Sequence, residues 1–376
     1  MPKQPRPKTN VQRQSPICKP AHRRSSTPPS TVHFEKLYGA NYLDISQYNT
    51  MHSEIGGLEE QLAVLRKAFW SKRELIAMTG AGISVNAGGE FLISLAGGIL
   101  TASSVPDFRT LCGGKPSTEL FNIDVYKSKK STEKYHKMCV ELFNKATKAK
   151  PTAFHYFLSS LCQNDRRRLR LRRHITQNVD CIETKLPSIS PDENAGKGSF
   201  PATQQLHGRI DQMICQSCKK YLPFDPELFR GHEIPPCPEC VKAETQREQA
   251  LLDGRRALKS RGIGRLRPNV TLYEDFSLDE LDISEWMEKD LLKRSPPDCV
   301  LIAGTRLKAS GAAKLTKNIC LAAKSWGSCG KESLVVYVNK EQPSFGRALD
   351  SLIDFRVHGD CDTFVSLIQG RGNAYC

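Results

Sequence analysis

The sequence predicts an α/β protein: a parallel sheet covered on both faces by helices, a small metal-holding module within it, and a basic tail ahead of it. Three observations carry that expectation. Short apolar runs, each ending in glycine or a polar residue, alternate with stretches of helical periodicity. Four cysteines fall in two Cys-x-x-Cys pairs. The first thirty-four residues are rich in proline and contain no acidic residue.

The elements follow in order. Leu58, Leu62, Val64, Leu65 and Phe69 recur at helical spacing, and Leu75-Ile76-Ala77-Met78 then reads as a buried strand running into Thr79-Gly80-Ala81-Gly82. Helical patterns over 135–148 and 152–162 precede a strand at His174-Ile175-Thr176. Cys299 to Ala303 is a buried strand ending at Gly304, and Leu334 to Val338 another ending at Asn339. Strands apolar along their whole length belong to parallel sheets with both faces covered. Such sheets bind ligands beyond the carboxyl ends of their strands. Two segments break the rhythm: 185–203, rich in Pro, Ser, Gly and Asn, reads as a surface loop, and 215–240 holds the cysteine pairs, followed by a basic stretch from Arg247 to Arg267. No internal repeat is found.

A length of 376 residues with 39% hydrophobic content suits one large α/β domain plus a small module. The net charge of +15 favours anionic surroundings such as chromatin, nucleic acid or acidic lipid. Fourteen cysteines raise the alternative of a secreted disulfide scaffold, but ten are scattered and no signal peptide opens the chain. The expectation is a soluble intracellular protein without a membrane span, because the longest apolar run, Phe91 to Ala102, has only twelve residues. Residues 1–34 read as a disordered basic tail, either solvated without a specific role or an arm for nuclear import or polyanion contact. The run Arg166 to Arg173, with six arginines in eight residues, reads as a solvated loop, or else as an import signal or a surface for an acidic partner.

Several motifs carry chemistry. Gly80-Ala81-Gly82-Ile83-Ser84 brings backbone amides toward a helix N-terminus, where they can hold a pyrophosphate; the bland alternative is a tight strand-to-helix turn. Cys215-x-x-Cys218 and Cys237-x-x-Cys240, eighteen residues apart, match the spacing of a zinc ribbon. Four thiolates complete a tetrahedron and leave no open position, so such a metal is structural. His232 nearby reads as a surface-loop histidine, with a substitute-ligand role as the alternative. Thr176-Gln177-Asn178-Val179-Asp180 sets two amides and a carboxylate at a strand's end, suited to a ribose or a nicotinamide amide. Val105-Pro106-Asp107-Phe108-Arg109 adds a carboxylate, an aromatic face and a guanidinium, and Leu206-His207-Gly208 lies just before the first cysteine pair.

Together and in this order these motifs, with Gly304-Thr305 and Val338-Asn339, resemble the sirtuin family from roughly Gly57 to the C-terminus. Gly264-Arg265-Leu266-Arg267-Pro268, Leu272-Tyr273-Glu274 and Cys181 look most like its fungal nuclear subgroup, which deacetylates a lysine in the histone core. The resemblance implies a Rossmann-like parallel sheet with a zinc-ribbon module. It divides the chain into a tail over 1–34, NAD-binding parts over 57–214 and 266–370, and a zinc module over 215–265. It implies an NAD-dependent protein-lysine deacetylase of the nucleus that acts on acetylated lysine in histones. NAD is consumed as a co-substrate, with nicotinamide and O-acetyl-ADP-ribose as products, and one structural zinc is held. By motif, His207 is the base, its imidazole pKa lying near neutrality. Gln177, Asn178 and Asp180 line the ribose and nicotinamide pocket, with Ala81, Asp107, Phe108 and Arg109 covering the other side and Gly80 and Gly82 of the glycine turn also binding the cofactor. Gly304, Thr305 and Asn339 hold the adenosine half, with Cys361 near the adenine. Cys215, Cys218, Cys237 and Cys240 hold the zinc.

Two departures stand out. Arg306 replaces the serine that usually follows Gly-Thr, placing a large cation near the cofactor phosphates or ribose. Residues 89–104, sixteen in all, separate Gly88 from Val105, where the family pattern runs on directly. They read as a natural loop extension, a regulatory lid or, the favoured reading, a translated intron. A mono-ADP-ribosyltransferase and a non-catalytic zinc-containing chromatin-binding protein are the alternative functions, the latter if the insert disables NAD binding.

Overall fold

A computed structural model describes residues 41–48, 56–87, 122–162, 169–191, 202–256, 259–272, 296–325 and 332–370. The tail over 1–34, the whole insert over 89–104, Asp107-Phe108-Arg109 and Arg166 to Arg168 lie outside them.

A seven-stranded sheet dominates these residues. Its strands are β1 (Asn41–Asp44), β2 (Glu74–Thr79), β3 (Arg170–Thr176), β4 (Thr203–Gln205), β8 (Cys299–Ala303), β9 (Leu334–Asn339) and β10 (Phe355–His358). They stand in the order β1-β10-β9-β8-β2-β3-β4, and every pairing is parallel. The chain leaves β2 toward β3 and β4 and returns on β2's other side as β8. The strand order therefore reverses between β2 and β8, which is where a doubly wound sheet opens its ligand crevice. The central strands β8 and β9 are buried at every position, as strands with both faces covered must be.

Helices supply the cover. α1 (Gly56–Trp70), α3 (Ala153–Ser160) and α7 (Cys361–Gln369) bury Leu62, Leu65, Phe69, Phe154, Phe157 and Phe364 against one face. α5 (Ser310–Ser325) covers the other with Leu315, Ile319 and Cys320, near the single turn α6 (Arg347–Asp350). α7 starts where Asp360 accepts the amides of Asp362 and Thr363, an N-cap that satisfies otherwise orphaned donors. α3 starts with a capping box between Thr152 and His155.

A second, three-stranded antiparallel sheet joins β5 (Gly208–Cys215), β6 (Tyr221–Pro223) and β7 (Leu266–Val270), in the order β6-β5-β7. α4 (Pro238–Leu252) projects from it. The sheet draws on residues either side of the 215–265 expected from the cysteines alone. The strands that brace a metal knuckle lie outside the knuckle, so the spacing of the thiols does not reveal them. α2 (Lys129–Lys148) packs Tyr135, Cys139 and Leu142 into the core shared with this sheet.

Three expectations change. Arg170, Arg172 and Arg173 belong to β3, not to a solvated loop, and Arg170 and Arg172 pair with Glu74 on the adjacent strand. The 185–203 loop is partly core: Ile189 is fully buried, and Thr203 is buried at the start of β4. The glycine turn leads into a short 3-10 helix, Ala81–Ser84, instead of running directly into an α-helix.

Candidate functional site

The crevice between β2 and β8 is lined by two glycine turns that touch. Gly80 N–H donates to Ala303 O at 3.1 Å, and Gly82 N–H to Gly304 O at 2.8 Å. A Cβ on Gly82 would sit 2.4 Å from Gly304 Cα, and one on Gly304 would sit 2.6 Å from Ile83 N. Gly304 also has φ +63, a left-handed conformation that L side chains resist. Backbone packs on backbone here, so neither neighbour can yield to a side chain.

At the ends of β2 and β3 the polar groups converge. Gln177 N–H donates to Thr79 O, and its Nε2 donates to Thr305 Oγ1 at 2.8 Å, tying the β3 end to the β8 turn. Asn178 Nδ2 donates to Ser84 Oγ at 3.2 Å, and Ser84 Oγ donates in turn to Asp180 Oδ2 at 2.9 Å. Both amides are thus pinned by their nitrogens. Their oxygens, Gln177 Oε1 and Asn178 Oδ1, are buried without a donor. A buried unsatisfied acceptor costs about 1–3 kcal/mol, and hydroxyl or amide donors on a bound ligand would remove that cost. The residues therefore fit a ribose- and amide-bearing cofactor.

A buried layer supports this surface. His174 Nε2 meets Thr79 Oγ1 at 2.7 Å and its Nδ1 meets Thr203 Oγ1 at 3.0 Å. Burial drives His174 down to about 3, so it stays neutral between two hydroxyls. Burial raises the carboxyl of Asp180 against the opposing pull of Ile182 N–H and Ser84 Oγ. Glu183, fully buried, is raised further by burial and by Asp180. Ser84, His174 and Glu183 carry no role in the sequence reading. Ser84 had a signal, as the last residue of the glycine quintet.

His207 occupies the junction of the two sheets. Its Nδ1 lies 2.9 Å from Gln177 O, and its own carbonyl accepts from Thr271 N–H at 3.0 Å. A carbonyl can only accept, so Nδ1 carries the proton and Nε2 keeps its lone pair. Burial lowers the imidazole pKa, partly offset by that hydrogen bond. Such a group is neutral, and a base, at neutral pH.

On the β8–β9 side, Tyr337 OH donates to Thr305 O at 2.9 Å, and Asn339 Nδ2 donates to Tyr337 OH and to Glu341 O. Arg306 pairs with Glu341 at 3.1 Å. Cys361 is buried at the first position of α7, close to Gly304. Burial raises its thiol far above the usual range, so it is a packing residue and not a nucleophile. A polar cavity of about 640 Å³ opens beyond it, among Asn86, Lys340, His358 and Asp360.

The cysteine quartet forms a second centre. The Sγ atoms of Cys215, Cys218, Cys237 and Cys240 all lie within 4.8 Å of one another, with 3.7 Å between Cys215 and Cys240 and 3.9 Å between Cys218 and Cys237. Zinc–sulfur bonds of about 2.3 Å at tetrahedral angles require edges of roughly 3.8 Å, whereas a disulfide needs about 2.05 Å. The thiols have the spacing of a metal site. The amides of Ser217 and Cys218 both point at Cys215 Sγ, at 3.4 Å. Burial pushes that thiol up, but these two amides together with the neighbouring thiols of Cys218 and Cys237 bring it below the usual value. A Cβ on Gly264 would sit 2.5 Å from the same sulfur, so only glycine lets the returning chain pass. His232 faces Glu233 and is not part of the cluster.

Comparison with known proteins decides the family. The Sir2 family matches residues 96–310, more than half of the chain. The chain belongs to the Sir2 family. It is 34% identical over 358 residues to the NAD-dependent histone deacetylase HST4 of Saccharomyces cerevisiae, covering 90% of this chain and 85% of that one. It is 33% identical over 329 residues to the NAD-dependent protein deacetylase hst4 of Emericella nidulans, covering 84% of this chain but only 50% of that longer protein. The fold is that of a Sir2 homologue solved with ADP-ribose (TM-score 0.54, 19% identity, 81% of this chain and 94% of the other). A Sir2 homologue–NAD complex gives 0.51 at 20% identity, over 83% and 92%. The family match begins at Ala96, inside the sixteen-residue insert, and so leaves the glycine turn on its N-terminal side.

Proposed function

We propose that this chain is an NAD-dependent protein-lysine deacetylase that acts on acetylated histones in the nucleus, releasing nicotinamide and O-acetyl-ADP-ribose. The observation that carries the reading is the tautomer of His207, fixed by Gln177 O beside two amides whose oxygens await donors. The names of the fungal relatives support it.

When bound, NAD supplies a ribose carbon that takes up the acyl oxygen as nicotinamide leaves. The chain's own residues do the rest. Gly80, Ala81 and Gly82 offer backbone close to the crevice. Gln177 and Asn178 orient the ribose and the nicotinamide amide through their open oxygens; Asp180 holds Asn178 in place through Ser84, and Thr305 holds Gln177. His207 takes a proton from a ribose hydroxyl at Nε2. Asp107, Phe108 and Arg109 are assigned to the covering side. Gly304, Thr305 and Asn339 hold the adenosine half, with Cys361 packed behind. The quartet holds one structural zinc, which cross-links the ends of β5 and α4.

The test follows acetylated histone-core peptides with and without NAD, measuring nicotinamide and O-acetyl-ADP-ribose, for the chain as given and for one lacking 89–104. NAD-dependent deacetylation is expected, lost at least about 100-fold in His207→Ala with the fold intact. ADP-ribosylated peptide without deacetylation would instead make it a transferase. Nucleosome binding with no NAD turnover in either form would leave a non-catalytic module. Transcript sequencing settles the insert: a dominant cDNA retaining the codons for 89–104 sinks the intron reading.

A further inference from the structure

At the carboxyl ends of β8 and β9 an arginine and a glutamate meet that the reaction itself does not require. Arg306 directly follows Gly304-Thr305, Glu341 lies two residues beyond Asn339, and Arg306 Nη1 is 3.1 Å from Glu341 Oε2. Both are built in from beneath. Tyr337 OH donates to Thr305 O, the carbonyl preceding Arg306, and Asn339 Nδ2 donates to Glu341 O at 2.9 Å and to that same tyrosine at 3.1 Å. One buried tyrosine thus fixes the backbone on both sides of the pair. Arg306 Nε is buried with no acceptor, so the guanidinium holds a donor in reserve. Lys340, another cation at this end, is engaged by Asp360 at 3.0 Å.

In nucleotide crevices of parallel sheets, an acid beside the adenosine ribose suits a free 2′-hydroxyl, whereas an arginine there suits a 2′-phosphate. This crevice carries both, facing each other. A carboxylate beside the guanidinium offsets its charge even where a donor is left over, and it repels a phosphate dianion. We infer that the Arg306–Glu341 pair sets the choice between NAD and its 2′-phosphorylated form: Glu341 reserves Arg306 and turns the phosphorylated cofactor away, and Arg306 is a latent 2′-phosphate site. This rests on the NAD reading of the same crevice.

The test is equilibrium binding of ADP-ribose and of 2′-phospho-ADP-ribose to the full chain by calorimetry, which needs no turnover. The wild type is expected to prefer ADP-ribose. Glu341→Gln should narrow that preference by roughly tenfold or more, and adding Arg306→Ala should remove the gain. Glu341→Ala replaces the glutamine variant if the latter melts early. A preference that stays within about twofold of wild type in a folded Glu341 variant overturns the inference alone. So does a wild type that binds both ligands equally. A wild type that binds neither overturns the NAD reading, and the inference with it.

Discussion

His207 shows how much one hydrogen bond can decide. An imidazole has two tautomers, and only the one protonated at Nδ1 leaves Nε2 free to take a proton. Gln177 O selects that tautomer, because a backbone carbonyl accepts only. Desolvation then lowers the pKa below 6.5, outweighing the stabilisation of the cation by the same carbonyl. The sign follows directly. In the proposed reaction His207 acts as a base only when neutral, so activity should be fully present above its folded pKa and be lost as pH falls through it. The acid limb of kcat/KM should therefore have its midpoint below 6.5, and a pH–rate profile of the peptide reaction measures it. A midpoint above 6.5 would mean that another group carries the proton. The amides beside His207 follow the same logic at the next atom: Thr305 and Ser84 take their nitrogens, leaving the oxygens for a ligand.

At the scale of elements, the glycine turns make the sharpest contrast. Gly82→Ala puts a methyl 2.4 Å from Gly304 Cα, where only backbone could move. Overpacking of that kind costs about 1–3 kcal/mol. Gly311, on α5, has nothing within 4 Å of its would-be Cβ, and Ala there should stabilise by about 0.5 kcal/mol, since glycine is a poor helix former. Urea unfolding of the two variants should move in opposite directions. Equal shifts would show that the contact between the turns does not constrain the crevice. These central elements are legible in sequence because β8 and β9 are apolar throughout and end at Gly304 and Asn339. The edges are not. β10 carries Arg356, fully buried over Tyr337 and Phe345 and paired with Asp350, so its centre reads as polar. β1 is four residues long, with two buried residues between exposed ends, so it lacks a strand-long apolar run. The arginines of β3 are masked for the same reason: their partner, Glu74, lies on another strand and nearly a hundred residues away. The four thiols, the glycine turn and the Gln177–Asp180 cluster were readable because each is local in sequence. The Arg306–Glu341 pair and the His174–Thr79–Thr203 layer needed the fold to bring their members together.

Across the whole molecule, the cysteine quartet and His207, the proposed base, sit at opposite ends of one strand. β5 begins at Gly208, immediately after His207, and ends at Cys215. β5 bulges between Gly208 and Met213, so its two ends are matched by only the five residues of β7. At about 3.3 Å per step roughly 13 Å of strand separates them, and a metal held by the quartet would support the site without touching a reactant. The mechanical path is nevertheless continuous. β5 pairs with β7 from Cys215↔Leu266 to Gly208↔Val270, and the next amide beyond β7, Thr271, holds His207 O. The small sheet packs Ile210, Met213, Leu266 and Val270 into the core it shares with α2, and at its cysteine end a thiolate cross-link would hold the register. Chelation should therefore release one zinc per chain, read by a colorimetric indicator, and lower kcat in proportion to the zinc lost. ADP-ribose binding should survive within a few-fold, because the Gly80–Gly82 and Gly304–Thr305 turns are braced by β2 and β8. Cys240→Ser should behave in the same way. If the stripped chain kept its full kcat, the small sheet would be a passive appendage and His207 would owe its position to Gln177 O alone.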